Sequence, residues 1–393
     1  MKKISDHNLT LKNKKILLRV DFNVPIKDGS ITETSRIEKI IPTIKLLIEK
    51  EAKIIIISHV GRPKGKVVKE MSLEPISKKL ASLLNKNILF NNKKLNENTV
   101  SEVNKIPNGS IMMLENIRFN AGEELNDKEF AKKLSNLGDL YVNDAFSVSH
   151  RSHASVDAIT KYMPSYYGIQ IAEEINALTK ITSDIKKPVT LIIGGSKIST
   201  KINIFFNLIK NIDNIIVVGA MANNFIYYKG FEIGKSMVER DSKEIFKKIY
   251  LEAKKYRCNI IIPEDFLVSK NYDGEASSKN IDMVEKDEII LDIGPKTIQA
   301  INNKIDDSNT VMWNGPAGYF ENKNFAIGTN SIAKKISKNT SEKSLISILG
   351  GGDTISAINN SKLSLSFTHL STAGGAFLEY LEGKDLPGLS VLK

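Results

Sequence analysis

The feature that most constrains the fold is the alternation of short β-branched apolar runs with stretches of helical periodicity. The apolar runs lie at 14–20, 53–58, 111–114, 140–142, 189–193, 214–218, 259–262, 289–292, 310–313 and 344–349. The helical stretches lie between them, at 42–51, 73–84, 127–135, 198–210, 241–256 and 325–336. Such alternation predicts a doubly wound α/β fold with buried parallel strands. Because roughly ten strands are too many for one comfortable sheet, we expect two sheets in two domains. The break is expected within 162–187, where a helix over 171–181 would join the halves.

Composition excludes several classes of protein. The chain has 393 residues, of which 41% are hydrophobic and 26% charged, as is typical of a soluble globular protein. No segment approaches the roughly 18 apolar residues that a membrane span needs. The N-terminus lacks an apolar signal region, and Cys258 is the only cysteine. We therefore expect a cytoplasmic protein without disulfides.

Charge points to an anionic partner, and the arginines suggest where it binds. The net charge is +11, yet only seven of the 56 basic residues are arginine. Arg36, Arg62, Arg118 and Arg151 lie in loops or just past strand ends, where a planar guanidinium suits a bidentate phosphate or carboxylate. The alternative for any one of them is a surface ion pair.

Polar clusters follow the predicted strands of the first half. They comprise 21–23, 59–63, 115–119, 143–144 and 150–151. Ligands of open α/β sheets bind at the carboxyl ends of the strands. The expected pocket contains Asp21, Asn23, Arg36, His59, Arg62, Arg118 and Arg151. It suits a small anion that carries a phosphate, although each histidine could instead be structural.

Glycine follows the strands of the second half, which indicates a nucleotide site. The glycine loops are 194–197, 219–221, 314–318 and 350–354. Glycine between a strand and a helix lets backbone N–H groups approach a phosphate. In the last loop Asp353 could hold Mg²⁺, or could simply cap a helix. Lys197 and Lys201 lie four residues apart and could face the phosphates, or could be solvated.

Other ligand motifs fit poorly. The segment 230–236 has three residues between its glycines where a P-loop needs four, and no G-x-G-x-x-G is present. His150 and His153 lack the partners of a metal site. A nucleotide half and a small-anion half together predict direct phosphoryl transfer, with water excluded when one half closes on the other.

The order of these motifs resembles the phosphoglycerate kinase family. The matching strings are RVDFNVP (19–25), SHVGRP (58–63), LENIRF (114–119), NDAFSVSHR (143–151), GGSKISTK (194–201), WNGPAGYFE (313–321), GGGDT (350–354) and STAGGA (371–376). They span essentially the whole chain. The resemblance implies reversible transfer of the acyl phosphate of 1,3-bisphosphoglycerate to ADP, giving 3-phosphoglycerate and ATP in glycolysis or gluconeogenesis.

The resemblance also implies roles for residues. The phosphoglycerate would be bound by Asp21, Asn23, Arg36, His59, Arg62, Arg118 and Arg151. The catalytic group would be Arg36, Lys197, Gly351 and Gly352. The nucleotide would be bound by Gly195, Lys197, Lys201, Gly219, Asn314, Pro316, Glu321, Gly350, Gly351, Gly352, Asp353 and Thr354. Glu321 would meet the ribose and Asp353 would hold Mg²⁺.

A domain plan follows from the same resemblance. Residues 1–170 would bind phosphoglycerate, 171–183 would form the interdomain helix, 184–377 would bind nucleotide, and 378–393 would return to the first domain. The protein would be a hinge-bending monomer with small-molecule substrates and no nucleic-acid or membrane partner. Ser196, Thr200, Val218 and Ala220 depart from the family pattern, the last two beside the expected adenine pocket.

Three alternatives stay open at this stage. A nucleic-acid-binding protein would use the positive charge, but would show a basic stripe with interleaved aromatics, and aromatics are only 7% of the chain. A kinase for another phosphorylated acid would keep the glycine loops and change the Arg and His set. A catalytically inactive homologue would lose Arg36, Lys197 or Asp353.

Overall fold

The chain forms two compact units. A computed structural model describes residues 2–6, 8–27, 29–93, 95–195, 198–199, 201–240 and 243–392. The first unit comprises Met1–Ile175 and Asp385–Lys393, and the second comprises Asn176–Lys384. The sequence analysis expected the first domain to end at 170, the interdomain helix at 183 and the nucleotide domain at 377. No helix in the described ranges is both long and apolar enough to cross a membrane.

The first unit is built on a parallel sheet. Its strands are β1 (Lys15–Arg19), β2 (Ile26–Lys27), β3 (Ser30–Ile31), β4 (Lys53–Ile57), β5 (Ile88–Asn91), β6 (Ile111–Leu114), β7 (Leu140–Asn143) and β8 (Ser165–Tyr167). Six of the described strands pair in the order β5-β6-β4-β1-β7-β8, while β2 and β3 form a small hairpin. The helices are α1 (Ser35–Glu38), α2 (Ile41–Glu49), α3 (Glu74–Leu84), α4 (Glu97–Lys105), α5 (Ala121–Glu124) and α6 (Lys128–Ser135). Helix α7 (Ile169–Thr182) begins in the first unit and ends in the second, because the boundary falls after Ile175.

Both faces of this sheet are covered, which explains its continuous apolar strands. Along β1, Ile16 and Leu18 pack into one hydrophobic cluster while Leu17 packs into the other. Successive side chains of a strand point to opposite faces, so the middle of a strand covered on both sides is apolar without alternation. The helices begin and end at local signals. Asp127 caps α6 by accepting a hydrogen bond from the Phe130 N–H, and α3 ends at Asn85 in the left-handed conformation.

The second unit repeats this plan and adds a small antiparallel sheet. Its strands are β9 (Val189–Ile193), β10 (Asn214–Val217), β11 (Asn259–Ile261), β12 (Asp265–Ser269), β13 (Ser277–Asn280), β14 (Ile289–Ile293), β15 (Thr310–Asn314), β16 (Ile346–Gly350) and β17 (His369–Ser371). The described parallel strands pair in the order β11-β10-β9-β15-β16-β17. The helices are α8 (Ile202–Leu208), α9 (Gly219–Tyr228), α10 (Lys243–Tyr256), α11 (Pro295–Asp306), α12 (Ile327–Glu342), α13 (Gly352–Asn360) and α14 (Gly375–Leu381), and α15 (Pro387–Ser390) lies in the first unit.

The doubly wound fold is confirmed, but one strand was assigned wrongly. The run at 289–292 was expected in the parallel sheet, whereas β14 pairs antiparallel with β12 in the order β13-β12-β14. A short apolar run shows that a strand is buried and does not show its direction, because burial gives the same pattern in either sheet. This small sheet matters because β14 supplies one wall of the candidate site.

The end of the chain packs on the first unit. The Gly388 N–H donates to the Ser149 carbonyl (2.8 Å), and the Asn143 amide donates to the Gly388 carbonyl (3.2 Å). A Cβ at Gly388 would come within 2.6 Å of the Val156 side chain, so only glycine fits there without displacement. The returning segment begins at Asp385, compared with the expected 378.

Candidate active site

In the first unit, Arg36 is held by two residues that follow strand β1. An Arg36 N–H donates to Asp21 Oδ2 (2.7 Å) and to the Asn23 carbonyl (3.2 Å). Ser147 donates to the same Asp21 oxygen, and the Asn23 N–H donates to the other one (2.9 Å). Asn23 Oδ1 in turn accepts from the Gly61 N–H (2.9 Å). Three residues of the predicted pocket, Asp21, Asn23 and Arg36, are therefore joined in one network, with Asp21 fixing the position of Arg36.

A buried arginine that the sequence analysis did not select holds His59. Arg19 is 0% exposed and His59 is 3% exposed. Arg19 donates to Ser155 Oγ (2.9 Å) and to the Val20 carbonyl, and its third nitrogen lies 3.2 Å from His59 Nδ1. Burial and the neighbouring positive charges of Arg19 and Arg118 keep the pKa of His59 well below its usual range. The His59 ring is therefore neutral at physiological pH.

Arg118 lies against the same loop. It is 3% exposed and donates to the Gly61 carbonyl (2.7 Å), while its Nε lies 3.6 Å from Glu124. That Nε is buried and has no hydrogen-bond partner among the described residues. Burial, followed by repulsion from Arg19, lowers the pKa of Arg118 to about 10. The guanidinium remains charged at neutral pH and is incompletely satisfied, which favours a bound anion.

A second neutral histidine, His153, is found near the same arginines. His153 Nδ1 is 3.7 Å from Glu123 Oε1, and Glu123, 0% exposed, accepts hydrogen bonds from Ser155. Burial and the charges of Arg118, Arg19 and Arg151 lower the pKa of His153 to about 3. Arg151 donates from Nε to His150 Nε2 (3.2 Å). Burial first, and the neighbouring guanidinium groups second, keep the pKa of both imidazoles low, so the positive charge of this region is carried by the arginines.

The remaining residue of the predicted set is placed differently. Arg62 is exposed and makes no hydrogen bond or ion pair within the described part of the chain. It follows His59 and Gly61 in the same loop, on the carboxyl side of β4. Sequence reasoning missed Arg19 and Glu123, which contact His59 and Ser155. The available signal for Arg19 was an arginine at the last position of an otherwise apolar strand.

In the second unit, Lys201 ties two strand ends together. Its Nζ donates to the Gly194 carbonyl (2.5 Å) after β9 and to Asn314 Oδ1 (2.5 Å) at the end of β15. The Asn314 amide donates to the Gly350 carbonyl (2.7 Å) at the end of β16. Burial lowers the pKa of the Lys201 ammonium to about 8, and the Asp353 carboxylate partly opposes this shift. The network brings together residues predicted from three separate glycine loops.

Two helices begin just past strands of the parallel sheet, α9 after β10 and α13 after β16. Their first N–H groups lack partners within the helix, although that of Gly219 donates to the Ala317 carbonyl (3.1 Å). Helix α9 starts at Gly219 (φ 63°), and Gly351 (φ 104°) precedes the first residue of α13. Thr354 Oγ1 accepts from the Gly315 N–H (2.7 Å) and donates to the Gly350 carbonyl (3.0 Å), which fixes the loop before α13. Helix N-termini are suited to bind phosphate because their first N–H groups lack internal partners.

The two helices open onto one cavity of about 320 Å³. Gly195, Gly219, Pro316, Glu321 and Asp353 line it, and so do apolar side chains that include Met237, Phe266, Ile289 and Leu291. A cavity of this size with a largely apolar lining and a few polar groups is typical of small-molecule sites.

The donors present fit a magnesium ion bound together with phosphates. No group of three His, Cys, Asp or Glu side chains that could hold a metal ion occurs in the described ranges. Mg²⁺ is commonly held by one or two carboxylates and by the phosphates of its nucleotide, and Asp353 provides one carboxylate in the first turn of α13. Lys197, together with Ser196 and Thr200, lies outside the described residues.

Comparison with known proteins identifies the family. A family model described as phosphoglycerate kinase matches residues 5–384. A phosphoglycerate kinase of Chelativorans sp. (strain BNC1) is 44% identical over 382 residues, which are 97% of this chain and 96% of that protein. Another, of Rhizobium meliloti (strain 1021), is 42% identical over 393 residues, covering 100% of this chain and 98% of that protein.

Solved structures agree with the sequence relatives. Phosphoglycerate kinase from Coxiella burnetii matches with a TM-score of 0.88 and 38% identity, covering 98% of this chain and 97% of that one. The enzyme from Pyrococcus horikoshii OT3 matches with a TM-score of 0.82 and 30% identity, covering 100% and 98%. The resemblance noted in the motif order is confirmed. The chain therefore belongs to the phosphoglycerate kinase family, the phosphoryl-transferring kinases of glycolysis.

Proposed function

We propose that the first unit binds 3-phosphoglycerate or 1,3-bisphosphoglycerate, that the second binds Mg²⁺ with ADP or ATP, and that the phosphoryl group passes directly between them. The P–O bond to the acyl oxygen breaks, a bond forms to a terminal oxygen of ADP, and the carboxylate of 3-phosphoglycerate leaves. The observation that carries this proposal is the set of guanidinium groups around His59 and His153, whose rings stay neutral. Such an excess of positive charge favours an anionic substrate.

The phosphate that does not react would lie on this cluster. Arg118 offers a guanidinium whose Nε makes no hydrogen bond to the described residues, and His59 can donate from the ring nitrogen that Arg19 leaves available. Arg62 and Arg151, at the rim, would add bidentate contacts to the same phosphate. Arg36, held by Asp21, would lie at the reacting end, where it would offset charge on the transferring phosphoryl group.

The nucleotide phosphates would lie against Gly195, Gly219 and Asp353 in the cavity of the second unit. The N-termini of α9 and α13 supply backbone donors, and Gly195 and Gly351 allow close approach at positive φ. Lys201 supplies an ammonium group, and Glu321 lies where it could accept from a ribose hydroxyl. Asp353 would hold Mg²⁺, which when bound neutralises phosphate charge in the transferring complex.

Catalysis of this kind depends on positioning and charge more than on a covalent intermediate. Lys197 remains the proposed partner of the phosphoryl group in transit. The closure of one unit on the other, the monomeric state and the cytoplasmic location stay predictions.

The direct test is an assay of ADP formation from 3-phosphoglycerate and Mg-ATP. The intact chain should be active, and Arg36→Ala or Lys197→Ala should lower kcat by several orders of magnitude while folding is preserved. Arg257→Ala is the matched control, since Arg257 is exposed at the end of α10 and lies outside both sites. Turnover equal to the intact chain in Arg36→Ala would overturn its role, and an inactive intact chain would overturn the proposed function.

A further inference from the structure

The carboxylate that holds Arg36 is itself held by a serine from another loop. Ser147 Oγ donates to Asp21 Oδ2, the same oxygen that accepts from Arg36 Nη1 (2.7 Å). The other oxygen, Oδ1, accepts from the Asn23 N–H (2.9 Å), two residues further along the chain. A carboxylate can only accept, so all three hydrogen bonds are donated to Asp21. Ser147 is therefore linked to Arg36 through one shared oxygen atom.

The contact between Arg36 and Asp21 uses one nitrogen and one oxygen. Arginine and carboxylate groups frequently pair through two parallel N–H···O bonds. Here Nη1 is the nitrogen that donates to Asp21, and it also donates to the Asn23 carbonyl (3.2 Å). A two-bond pair would require the carboxylate to turn until both oxygens faced the guanidinium. That turn would disturb the bonds from Asn23 and Ser147, so these two donors keep the contact single.

Ser147 is fixed in place by its neighbours in the sequence. It lies in a short turn after β7, between Phe146 and Val148, which are 2% and 4% exposed. The Val148 N–H donates to the Ala145 carbonyl (3.2 Å), and the Ala145 N–H donates to Asn143 Oδ1 (3.1 Å). The serine itself is only half-buried. Its hydroxyl is therefore held in position by a packed backbone, and its removal should leave the fold intact.

We propose that Ser147 is a positioning residue for phosphoryl transfer, because it fixes the Asp21 carboxylate in the orientation that holds Arg36 through a single nitrogen. Without the hydroxyl, Oδ2 would keep one donor instead of two, and the carboxylate could turn to pair with two guanidinium nitrogens. Such a pair would draw Arg36 onto Asp21 and change the direction in which its charge meets the phosphoryl group. The inference rests on the proposed function, since it takes Arg36 as the residue at the reacting end.

The test measures steady-state kinetics of the full chain with 3-phosphoglycerate and Mg-ATP. Ser147→Ala should lower kcat about 10-fold, the usual effect of one hydrogen bond to a charged group. KM for 3-phosphoglycerate should change less than about 3-fold, because other guanidinium groups would bind the phosphate that does not react. A serine that contacted the substrate directly would raise KM instead. Ser147→Thr keeps the hydroxyl and should restore kcat.

A double-mutant cycle tests whether the effect passes through Asp21. Asp21→Asn removes the carboxylate that Ser147 holds, so adding Ser147→Ala to it should lower kcat by less than about 2-fold further. Ser152→Ala is the matched control, because Ser152 is an exposed serine of the same loop whose side chain makes no hydrogen bond within the described part of the chain. It should keep the kcat of the intact chain. Thermal melting of each variant verifies folding.

The outcomes separate the inference from the proposed function. An unchanged kcat in Ser147→Ala, an equal loss in Ser147→Thr, or losses that multiply in the double variant would each overturn the inference. All three results leave the activity of the intact chain, and thus the proposed function, in place. An inactive intact chain would overturn both.

Discussion

The Arg19 guanidinium lies 3.2 Å from His59 Nδ1, with both side chains almost wholly buried. A guanidinium can only donate, so Nδ1 must accept and the ring proton must lie on Nε2. Arg19 thus sets the tautomer of His59 and also discourages its protonation. A neutral ring that donates from Nε2 is suited to bind a phosphate oxygen without adding a further buried charge.

Arg19→Met should lower the free energy of unfolding by about 3 kcal/mol, because Ser155, the Val20 carbonyl and His59 all lose a buried partner. Urea denaturation followed by circular dichroism measures this loss. Arg62→Met is the control, since the exposed Arg62 has no partner in the described chain and its loss should change stability by no more than about 0.5 kcal/mol. Equal stabilities of the two variants would contradict the supporting role of Arg19.

His153 should make stability depend on pH in the acid range. Its folded pKa is about 3, compared with 6.5 for an ordinary histidine. Between these values the unfolded chain binds a proton that the folded chain does not, so stability falls as pH decreases from 6.5, by at most about 1.4 kcal/mol per pH unit. His153→Gln removes this contribution. The stability difference between the intact chain and the variant, measured by denaturation at several pH values, should therefore shrink on acidification.

The comparison with His153→Gln is necessary because two buried carboxyl groups change the stability with pH in the opposite direction. Burial raises the pKa of Asp144 and of Asp292 to about 7, so the folded chain gains protons first and these groups favour folding as pH falls from 7. Both are present in the intact chain and in the variant and cancel. A pH-independent difference would show that His153 is not held neutral in the native protein.

Alanine substitutions at Gly351 and Gly352 distinguish an effect on folding from an effect on nucleotide binding. A Cβ at Gly351 would lie 2.5 Å from Asn314 Nδ2 on a backbone with φ of 104°, whereas a Cβ at Gly352 would meet nothing within 4 Å. Gly351→Ala should cost about 1–3 kcal/mol of stability. Gly352→Ala should fold normally and weaken nucleotide binding, because its methyl group would occupy the expected path of a phosphate.

Thermal melting and ADP titration measured on both glycine variants test this prediction. Unimpaired ADP binding by Gly352→Ala would show that phosphates do not approach the first turn of α13 closely.

Lys201 should give nucleotide use an alkaline limit. Its pKa is about 8 in the free protein, so the ammonium charge is lost as pH rises through that value and its attraction for polyphosphate is lost with it. We expect kcat/KM for ATP to decline above pH 8. Lys201→Arg, which keeps its charge, should remove the decline even if the rate is lower at neutral pH. A decline of the same shape in both proteins would assign it to another group.

The fold class could be predicted from sequence because burial on both faces forces continuous apolar strands, and β1, β4 and β9 show this directly. Short strands at the edges of the sheets could not be predicted. Strand β8 has only three residues, Ser165–Tyr167, which are too few to show a pattern of apolar side chains, although its backbone pairs with β7. Strand β14 was detected but placed in the wrong sheet, since apolar runs do not encode direction.

The candidate sites were predicted where ligand-binding residues follow strands in sequence. His59 and Asn314 were selected in this way, and the structure shows their hydrogen-bond partners while their roles stay predictions. Arg19 and Glu123 were missed because each is buried within a regular element, where sequence alone suggests packing. Only their hydrogen-bond partners in the structure show that they support the residues of the pocket.

The central claim is that each unit binds its own substrate. It is tested most directly by titrating 3-phosphoglycerate and ADP separately into Arg151→Gln and Lys201→Met. Arg151→Gln should weaken binding of 3-phosphoglycerate at least about 10-fold, by loss of a charge-assisted contact, and leave ADP affinity unchanged. Lys201→Met should do the reverse. Loss of the opposite ligand, or of both ligands in a folded variant, would contradict the assignment.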